Sequence, residues 1–255
     1  MSNLRFYNPE NLKIGTTVKL SDNAAAHATR VLRLEISDEI VLFNGDGNDY
    51  TCAISSIKKN ETLAIVKNCV KITNESPLNI TLLQGISSGD RMDYTIQKAV
   101  ELGVTAIVPI ITTRSVVKLS AERAEKRLAH WQSVVHAACE QSGRASVPQV
   151  AQPSTLSQWL ASTPSPFMGE GWGEGKTRPT RILLNPIGAV RLAELPKPAG
   201  NIELLIGAEG GLSQAEIDIA LSQGFQSVVL GARILRTETA ALVAIAAMQT
   251  LWGDF

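Results

Sequence analysis

The chain has 255 residues, of which 44% are hydrophobic and 19% are charged, as is ordinary for a globular protein. A chain of this length can bury a sizeable core without disulfides or metal ions, so neither is needed for stability. The 24 basic and 24 acidic residues balance, which does not favour a general basic surface for nucleic acid. Any contact with RNA therefore needs a local patch.

The cysteines, the histidines and the apolar runs exclude several further classes. The three cysteines contain no CxxC pair and the three histidines show no metal-ligand spacing, so we expect free thiols and no metal site. The start of the chain, MSNLRFYNPE, lacks the apolar segment of a secretory signal. The apolar run Ala240–Met248 is shorter than the roughly 20 residues that span a bilayer. We expect a cytoplasmic protein without membrane contact.

Residues 1–72 contain short runs of β-branched and aromatic residues, which predict strands. Asn44–Asn48, with the sequence NGDGN, lies between two runs and predicts a hairpin, because Gly and Asn tolerate a positive φ angle. One short helix is predicted over Asn23–Leu34. These elements predict a small β-barrel domain. The predicted strands are Leu4–Asn8, Thr17–Ser21, Glu39–Phe43, Tyr50–Lys58 and Thr62–Val70.

Residues 73–255 change character after a predicted linker at Asn74–Pro77. Apolar runs that suit strands buried on both faces alternate with helical patterns, which predicts a parallel α/β sheet. The predicted strands are Ile80–Leu83, Ala106–Ile111, Ile182–Leu184, Ile202–Ile206 and Val228–Leu230. The predicted helices are Met92–Leu102, Ala121–Gln141, Ala215–Gln223 and Glu238–Leu251.

Residues 161–180 interrupt this pattern with the sequence ASTPSPFMGEGWGEGKTRPT. Because Pro, Gly, Ser and Thr dominate it, the segment is predicted to be a flexible surface insertion. The alternative is a binding loop in which Phe167 and Trp172 stack against a ligand.

A glycine-rich segment follows the predicted strand Ile202–Ile206. Three glycines within Gly207–Gly211 let a ligand approach the backbone closely, and open parallel sheets bind ligands at the carboxyl ends of their strands. Ser213 and Glu216 form an S-x-x-E pattern, which predicts a capping box at the start of a helix. The alternative is a tight strand-to-helix turn without a ligand. The segment matches neither the phosphate-binding loop nor the dinucleotide pattern.

Two further segments carry polar groups at the ends of elements. In LGARILRTETA at residues 230–240, a strand ends in glycine, and Thr237 is predicted to cap a helix that begins at Glu238. Structural ion pairs of Arg233 and Arg236 are the alternative there. In EQSGR at residues 140–144, a long helix ends, and its polar groups either face a site or form an ordinary glycine-terminated helix end.

The sequences GAEGGLSQAE at 207–216 and LGARILRTETA at 230–240 resemble the SPOUT methyltransferases. The chain is most similar to the bacterial 16S rRNA uracil-N3 methyltransferases, and nearly the whole chain except 161–180 takes part. The chain departs from the family pattern at Ala208 and Ala232, where proline is usual; the loss of proline loosens a loop but blocks no pocket. Further matches are Arg5-Phe6, His27–Arg33, Gln97–Val104, Arg114-Ser115 and Glu140–Arg144.

The resemblance implies a PUA-like β-barrel followed by a SPOUT α/β domain with a C-terminal trefoil knot. It also implies a homodimer whose active site forms at the subunit interface. The implied activity transfers a methyl group from S-adenosylmethionine to N3 of a specific uridine, uridine 1498 of 16S rRNA, in the small ribosomal subunit. The residues matched to the cofactor loops are Leu184, Asn185, Gly207, Glu209, Gly210, Gly211, Leu230, Gly231, Ile234, Leu235, Arg236 and Thr239.

Methylation at N3 requires alignment of the reactants, removal of a proton and stabilisation of negative charge on the uracil. Arg236 is the first catalytic candidate because a guanidinium is always charged and offers forked donors; the alternative is a structural pair with Glu238. Glu140 and Arg144 are the other catalytic candidates, and the base is left open between Glu140, Glu209 and water.

Arg5, Arg30 and Arg33 are predicted to contact RNA phosphates, since the chain lacks a general basic surface. The alternative is that they are solvated arginines on a helix face. For the whole chain, the alternative function is a non-catalytic RNA-binding or ribosome-assembly factor. A nucleotide-binding oxidoreductase is disfavoured by the missing GxGxxG pattern.

Overall fold

The computed structural model describes residues 4–59, 61–115, 121–162, 178–187 and 190–255. These residues form two compact units. The N-terminal unit comprises residues 1–75 and 136–147, and the C-terminal unit comprises residues 76–135 and 148–255. Of the segment 161–180 that was predicted to be an insertion, residues 163–177 lie outside the described residues.

The N-terminal unit is built on a five-stranded sheet in the order β1-β3-β4-β5-β2. The hairpin predicted at Asn44–Asn48 is confirmed: β3 and β4 pair antiparallel, and Gly45 and Gly47 have φ angles of +97° and +87°. One face of the sheet is packed with fully buried side chains such as Phe6, Leu42 and Ile54. The strands are β1 (Arg5–Tyr7), β2 (Thr17–Lys19), β3 (Glu39–Phe43), β4 (Asn48–Lys58) and β5 (Glu61–Lys71).

The helix predicted over Asn23–Leu34 is shorter and less regular in the structure. Helix α1 covers Asp22–Ala26, and its N-cap residue Ser21 accepts a hydrogen bond from the N–H of Ala24. A π-helical turn, His27–Val31, continues it. Arg33 then adopts a φ angle of +56°, which stops the right-handed helix.

The C-terminal unit contains one sheet in the order β11-β13-β10-β12-β6-β7-β8, with β9 pairing to β7. Every strand pair in it is parallel, which confirms the predicted parallel α/β architecture. The strands are β6 (Ile80–Gly85), β7 (Ala106–Ile111), β8 (Gln149–Val150), β9 (Ser154–Thr155), β10 (Thr180–Leu184), β11 (Val190–Arg191), β12 (Ile202–Ile206) and β13 (Gln226–Val229).

Helices connect these strands. The helices are α2 (Asp90–Glu101), α3 (Ala121–Ser142), α4 (Leu156–Ser162), α5 (Gln214–Ser222) and α6 (Thr237–Trp252), and a 3₁₀ turn covers Leu192–Glu194. Helix α6 packs against α2 and buries a stripe of small and medium side chains that includes Ala241, Ala244 and Ile245. Its alanines let neighbouring backbone approach closely on the buried face, while Val243 and Leu251 are exposed on the other face.

Candidate functional site

Three adjacent parallel strands, β10, β12 and β13, end at the same edge of the sheet. The segments that follow them, at residues 184–187, 207–212 and 230–236, line one cleft together with the first turn of α6. The cleft has a volume of about 760 Å³, which is within the range of small-molecule sites. The topology therefore places a ligand-sized cavity where open α/β sheets bind their ligands.

The glycine-rich segment after β12 forms a tight turn that folds back on itself. The N–H of Gly211 donates to the carbonyl oxygen of Ala208 at 2.8 Å. Gly211 has a φ angle of +69°, a conformation that favours glycine. A Cβ atom on Gly207 would lie 2.8 Å from the carbonyl carbon of Gly211, so the turn closes only because Gly207 has no side chain.

Position 210 must be glycine because Arg114, which follows β7, packs directly against it. A Cβ atom on Gly210 would lie 2.9 Å from the Cβ atom of Arg114. In turn, Nη1 of Arg114 donates to the carbonyl oxygen of Gly210 at 3.2 Å. Arg114 itself lines the cleft, so this contact ties the cleft wall to the end of a fourth strand.

The capping box predicted at Ser213 and Glu216 is confirmed. The hydroxyl of Ser213 accepts a hydrogen bond from the N–H of Glu216, and the Glu216 carboxylate accepts one from the N–H of Ser213 at 2.7 Å. The same carboxylate accepts from the N–H of Thr113 at 2.8 Å. Burial raises the pKa of Glu216, but the hydrogen bonds from Ser213 and Thr113 outweigh it and hold that pKa below its ordinary value.

Glu209 is held in place by Arg91 in the first turn of α2 and by Ser88, two residues before that helix. Its carboxylate accepts hydrogen bonds from the N–H and the hydroxyl of Ser88 at 2.9 and 3.0 Å, and Nη1 of Arg91 lies 3.0 Å away. Partial burial raises the pKa of Glu209, but the hydrogen bonds from Ser88 and the charge of Arg91 lower it further, to below the ordinary value. A carboxylate with a lowered pKa is a weak proton acceptor, so the geometry disfavours Glu209 as the base.

Arg233 and Arg236 both line the cleft and both are exposed. Within the described part of the chain neither forms an ion pair. The alternative in which Arg236 pairs with Glu238 is therefore not what the structure shows. The guanidinium of Arg236 remains available to a ligand in the cleft.

The predicted cap at Thr237 is wrong. Helix α6 begins at Thr237, and the N-cap position belongs to Arg236, which makes no capping bond through its side chain. The hydroxyl of Thr237 instead donates to the carbonyl oxygen of Gly207 at 2.6 Å. Threonine favours helix caps, but the Thr237 hydroxyl is used here in a tertiary hydrogen bond.

The structure brings together nearly all of the residues matched to the cofactor loops. Thr239 is the exception, because it is exposed on α6 and is not part of the cleft lining. The matched residues that line the cleft are Leu184, Asn185, Gly207, Glu209, Gly210, Gly211, Leu230, Gly231, Ile234, Leu235 and Arg236.

Arg5 is an internal residue of the N-terminal unit, with 7% of its side chain exposed. It forms a two-pronged ion pair with Asp49, donates to the carbonyl oxygens of Cys139 and Arg144, and lies 4.0 Å from the ring centre of Phe43. This corrects the prediction that Arg5 contacts RNA: a guanidinium with these partners is not available to a phosphate.

Arg144 and Glu140 also belong to the N-terminal unit. The side chain of Arg144 is 6% exposed and pairs with Glu75 at 2.6 Å, so we leave Arg144 out of the catalytic proposal. Glu140 accepts a hydrogen bond from the N–H of Tyr7 at 2.9 Å. Burial raises the pKa of Glu140, and the Tyr7 hydrogen bond opposes this rise only in part.

Arg30 and Arg33 are both exposed. They flank two exposed apolar side chains, Val31 at 67% and Leu32 at 36%. Neither arginine forms an ion pair among the residues that the structure describes, and both are therefore accessible to a polyanion.

From the sequence, Arg91 was not singled out, and neither Arg114 nor Glu238 was placed in a ligand site; all three line the cleft. Arg91 and Arg114 follow the carboxyl ends of β6 and β7, and this position was the signal that could have identified them.

In the described ranges no group of three or more His, Cys, Asp or Glu side chains is placed to hold a metal ion. The helices of the described chain also include none that is both long and apolar enough to span a bilayer.

Two protein-family models match the chain. The model described as an RNA methyltransferase domain covers residues 74–249, and the model described as an RNA methyltransferase PUA domain covers residues 20–67. Among curated proteins, the chain is 34% identical to ribosomal RNA small subunit methyltransferase E of Buchnera aphidicola, over 98% of this chain and 97% of that protein. It is 30% identical to the Bacillus subtilis protein of the same name, over 96% of each chain.

Solved structures resemble the whole chain. One is a ribosomal RNA small subunit methyltransferase E from Neisseria gonorrhoeae bound to S-adenosyl methionine, with 47% identity, a TM-score of 0.88 and 99% of each chain covered. Another is a Legionella pneumophila protein in complex with the cofactor SAM, with 35% identity, a TM-score of 0.91 and full coverage. With both family models matched in order, the chain belongs to the RNA methyltransferase family that joins a PUA domain to an RNA methyltransferase domain.

Proposed function

We propose that this chain transfers a methyl group from S-adenosylmethionine to N3 of a uridine in 16S rRNA, the position that the family resemblance gives as uridine 1498. The observation that carries the proposal is the convergence of the segments after β10, β12 and β13 on one cleft. Homologues over the full chain length are named as rRNA methyltransferases, and two similar proteins were solved with S-adenosylmethionine bound.

The cleft suits S-adenosylmethionine in size and in the character of its walls. Apolar side chains such as Leu183 and Ile206 line it beside the exposed backbone of Gly207–Gly211. Backbone amides and carbonyls can satisfy an adenine edge, and glycines leave them accessible. Glu209 lies at the mouth as a fixed carboxylate, anchored by Ser88. When bound, the cofactor supplies a methyl group carried on a positively charged sulfur.

Arg236 is the residue that we assign to charge stabilisation. When N3 of uracil attacks the methyl carbon, the N3 proton must leave, and negative charge develops on the neighbouring carbonyl oxygens. A guanidinium at the cleft that forms no ion pair within the described residues can donate to such an oxygen. The proton acceptor is left open between Glu140 and water: burial raises the pKa of Glu140, but its side chain is not part of the cleft lining.

The RNA contact is assigned to Arg30 and Arg33 of the N-terminal unit. Both are exposed and unpaired within the described residues, which suits phosphate binding in a chain of zero net charge. The substrate would be 16S rRNA in the small ribosomal subunit, and the protein would act in the cytoplasm.

We also propose a homodimer and a C-terminal knot. Helices α2 and α6 pack together, yet Tyr94, Val243 and Leu251 on them are each 43% to 51% exposed. Such exposed apolar side chains are what a second subunit would cover in the proposed homodimer.

The knot concerns the order of the strands. Strand β13 lies between β10 and β11, which precede it in the chain. The proposed trefoil knot rests on the family resemblance, and this insertion of a late strand between two earlier ones is compatible with it.

Reconstitution tests the proposed function. Small ribosomal subunits from a strain that lacks this gene would be incubated with purified protein and S-adenosylmethionine, and nucleosides from the target region analysed by mass spectrometry. We expect 3-methyluridine at one site, formed far more slowly by the Arg236→Lys variant. Calorimetry of S-adenosylmethionine binding separates the alternatives, since a non-catalytic assembly factor has no need to bind it. Methylation at another base or atom would refute the assigned specificity.

A further inference from the structure

A buried chain of hydrogen bonds joins three segments of the C-terminal unit. Gln84, at the end of β6, has no exposed surface, and its Nε2 donates to Oγ1 of Thr237 at 2.9 Å. The Thr237 hydroxyl then donates to the carbonyl oxygen of Gly207 at 2.6 Å. The chain of bonds therefore links β6 to the turn after β12 and to the start of α6.

The direction of these bonds follows from their chemistry. A carbonyl oxygen only accepts, so the single proton of the Thr237 hydroxyl is directed to Gly207. The hydroxyl oxygen is then left as an acceptor, and Gln84 must present its NH₂ group. That NH₂ group also donates to the carbonyl oxygen of Gly85 at 3.1 Å. Both of its protons are thereby used.

The turn that carries Gly207 rests directly on the end of β6. Gln84 lies opposite Ile206 in the parallel pairing of β6 and β12. A Cβ atom on Gly85 would collide with the backbone nitrogen of Ala208, so no side chain separates the two segments. Contact with β6 fixes the position of the turn relative to the sheet. The Thr237 hydroxyl fixes the direction of the Gly207 carbonyl.

We infer that Gln84 and Thr237 are positioning residues, which hold the Gly207–Gly211 turn and the start of α6 in the spacing that admits the cofactor. The inference rests on the proposed binding of S-adenosylmethionine in this cleft. Gln84 is not part of the cleft lining, so it acts only through Thr237. Without the hydroxyl, the half-buried Gly207 carbonyl loses the donor that sets its direction, and the peptide is free to turn toward another donor. A turned peptide changes the groups that face the cofactor.

Substitution of Thr237 tests the inference. Thr237→Val keeps the shape and removes the hydroxyl, whereas Thr237→Ser keeps the hydroxyl. The matched control is Thr95→Val, a buried threonine on α2 whose hydroxyl donates to Arg91 of its own helix at 2.8 Å. Calorimetry would give the Kd for S-adenosylmethionine, and thermal unfolding without ligand would give Tm. We expect Thr237→Val to raise Kd at least about tenfold, as loss of a preorganising contact does, with Thr237→Ser and Thr95→Val within about threefold of wild type.

A second variant reverses the hydrogen-bond chain. Gln84→Glu has nearly the same shape, but its carboxylate accepts the Thr237 proton and so releases Gly207. A protonated carboxyl group donates again, so we expect the affinity of this variant to fall as pH rises and to recover at lower pH. Wild type, in which Gln84 does not titrate, should not gain affinity as pH is lowered.

Three results would overturn the inference: wild-type affinity in Thr237→Val, equally weak binding by Thr237→Ser, or equally weak binding by Thr95→Val. A wild-type protein that does not bind S-adenosylmethionine would instead refute the proposed function. Hydrogen exchange of residues 207–211 in the ligand-free protein separates these cases. Faster exchange in Thr237→Val than in Thr95→Val supports the positioning role, and equal exchange contradicts it.

Discussion

Arg5 and Asp49 form an ion pair inside the N-terminal unit, with Nη2 of Arg5 2.6 Å from Oδ1 of Asp49. The pair is 7% and 21% exposed, and the remaining donors of Arg5 reach two backbone carbonyls. Breaking a buried pair leaves a charge without a partner in a poorly solvated place. Arg5 therefore holds the residues at 139–144 to the first strand.

Arg5→Ala should accordingly destabilise the protein rather than weaken RNA binding directly. We expect a loss of about 3–5 kcal/mol in the free energy of unfolding, because one partner of a buried pair is removed. Urea unfolding would measure it. Lys126→Ala is the control, since the Lys126–Glu122 pair is 76% and 78% exposed and such pairs contribute less than about 1 kcal/mol. Equal stability of the two variants would contradict a structural role for Arg5.

Gly210→Val should abolish S-adenosylmethionine binding while the protein stays folded. The added Cβ atom meets Arg114 at 2.9 Å, so either Arg114 or the turn must move. Gly211→Ala is the informative comparison. It has open space around its Cβ position but a φ angle of +69°, so it adds backbone strain of about 1 kcal/mol without a collision. Calorimetry and circular dichroism check both variants, and wild-type affinity in folded Gly210→Val would refute the assignment of this turn.

Arg236→Lys should lose methyl transfer while it keeps cofactor affinity. Lysine retains the positive charge but lacks the planar fork of donors. Loss of a preorganised donor costs roughly 10²–10³ in the rate of the chemical step. Single-turnover methylation with saturating cofactor measures that rate without interference from product release. If Arg236→Lys reacts as fast as wild type, another cleft residue stabilises the charge, with Arg114 and Arg233 as the next candidates.

The double variant Arg30→Ala, Arg33→Ala should weaken binding to small ribosomal subunits and flatten its dependence on salt. Each phosphate contact contributes roughly 0.7–0.9 to the slope of log K against log salt, so the slope should fall by about 1.4–1.8. Cofactor affinity and Tm should stay at wild-type values, since both side chains are exposed. An unchanged slope would exclude this surface as the RNA contact.

The Glu209 contact should contribute to stability in a pH-dependent way. Burial raises its pKa, but the bonds from Ser88 and Arg91 bring the folded-state value below the ordinary 4.5. The contact therefore contributes fully above pH 4.5 and is lost as pH falls through the folded-state value. We expect Glu209→Gln to be less stable than wild type at neutral pH, with a smaller decrease in acid. Urea unfolding from pH 3 to 7 checks this, and parallel curves for the two proteins would contradict it.

Much of the sheet could be predicted from the sequence because its signals are local. Strands such as Ala106–Ile111 and Ile202–Ile206 are apolar runs of strand length, and the structure confirms their bounds. The capping box at Ser213 and the hairpin at Asn44–Asn48 depend on residues only a few positions apart. The strands β8, β9 and β11 were missed, because two residues are too few to show a period.

The sequence by itself also placed most of the cleft, since the glycine-rich turn and the LRTETA segment each follow a predicted strand. Tertiary structure alone decided which polar side chains are available there. Arg5 and Arg144 have the same chemistry as Arg236, but they are paired with Asp49 and Glu75, far from them in sequence. Thr237 donates to Gly207 rather than capping its own helix. Burial and long-range pairing determine whether a charged or polar group can reach a ligand, and neither is encoded in the residues next to it.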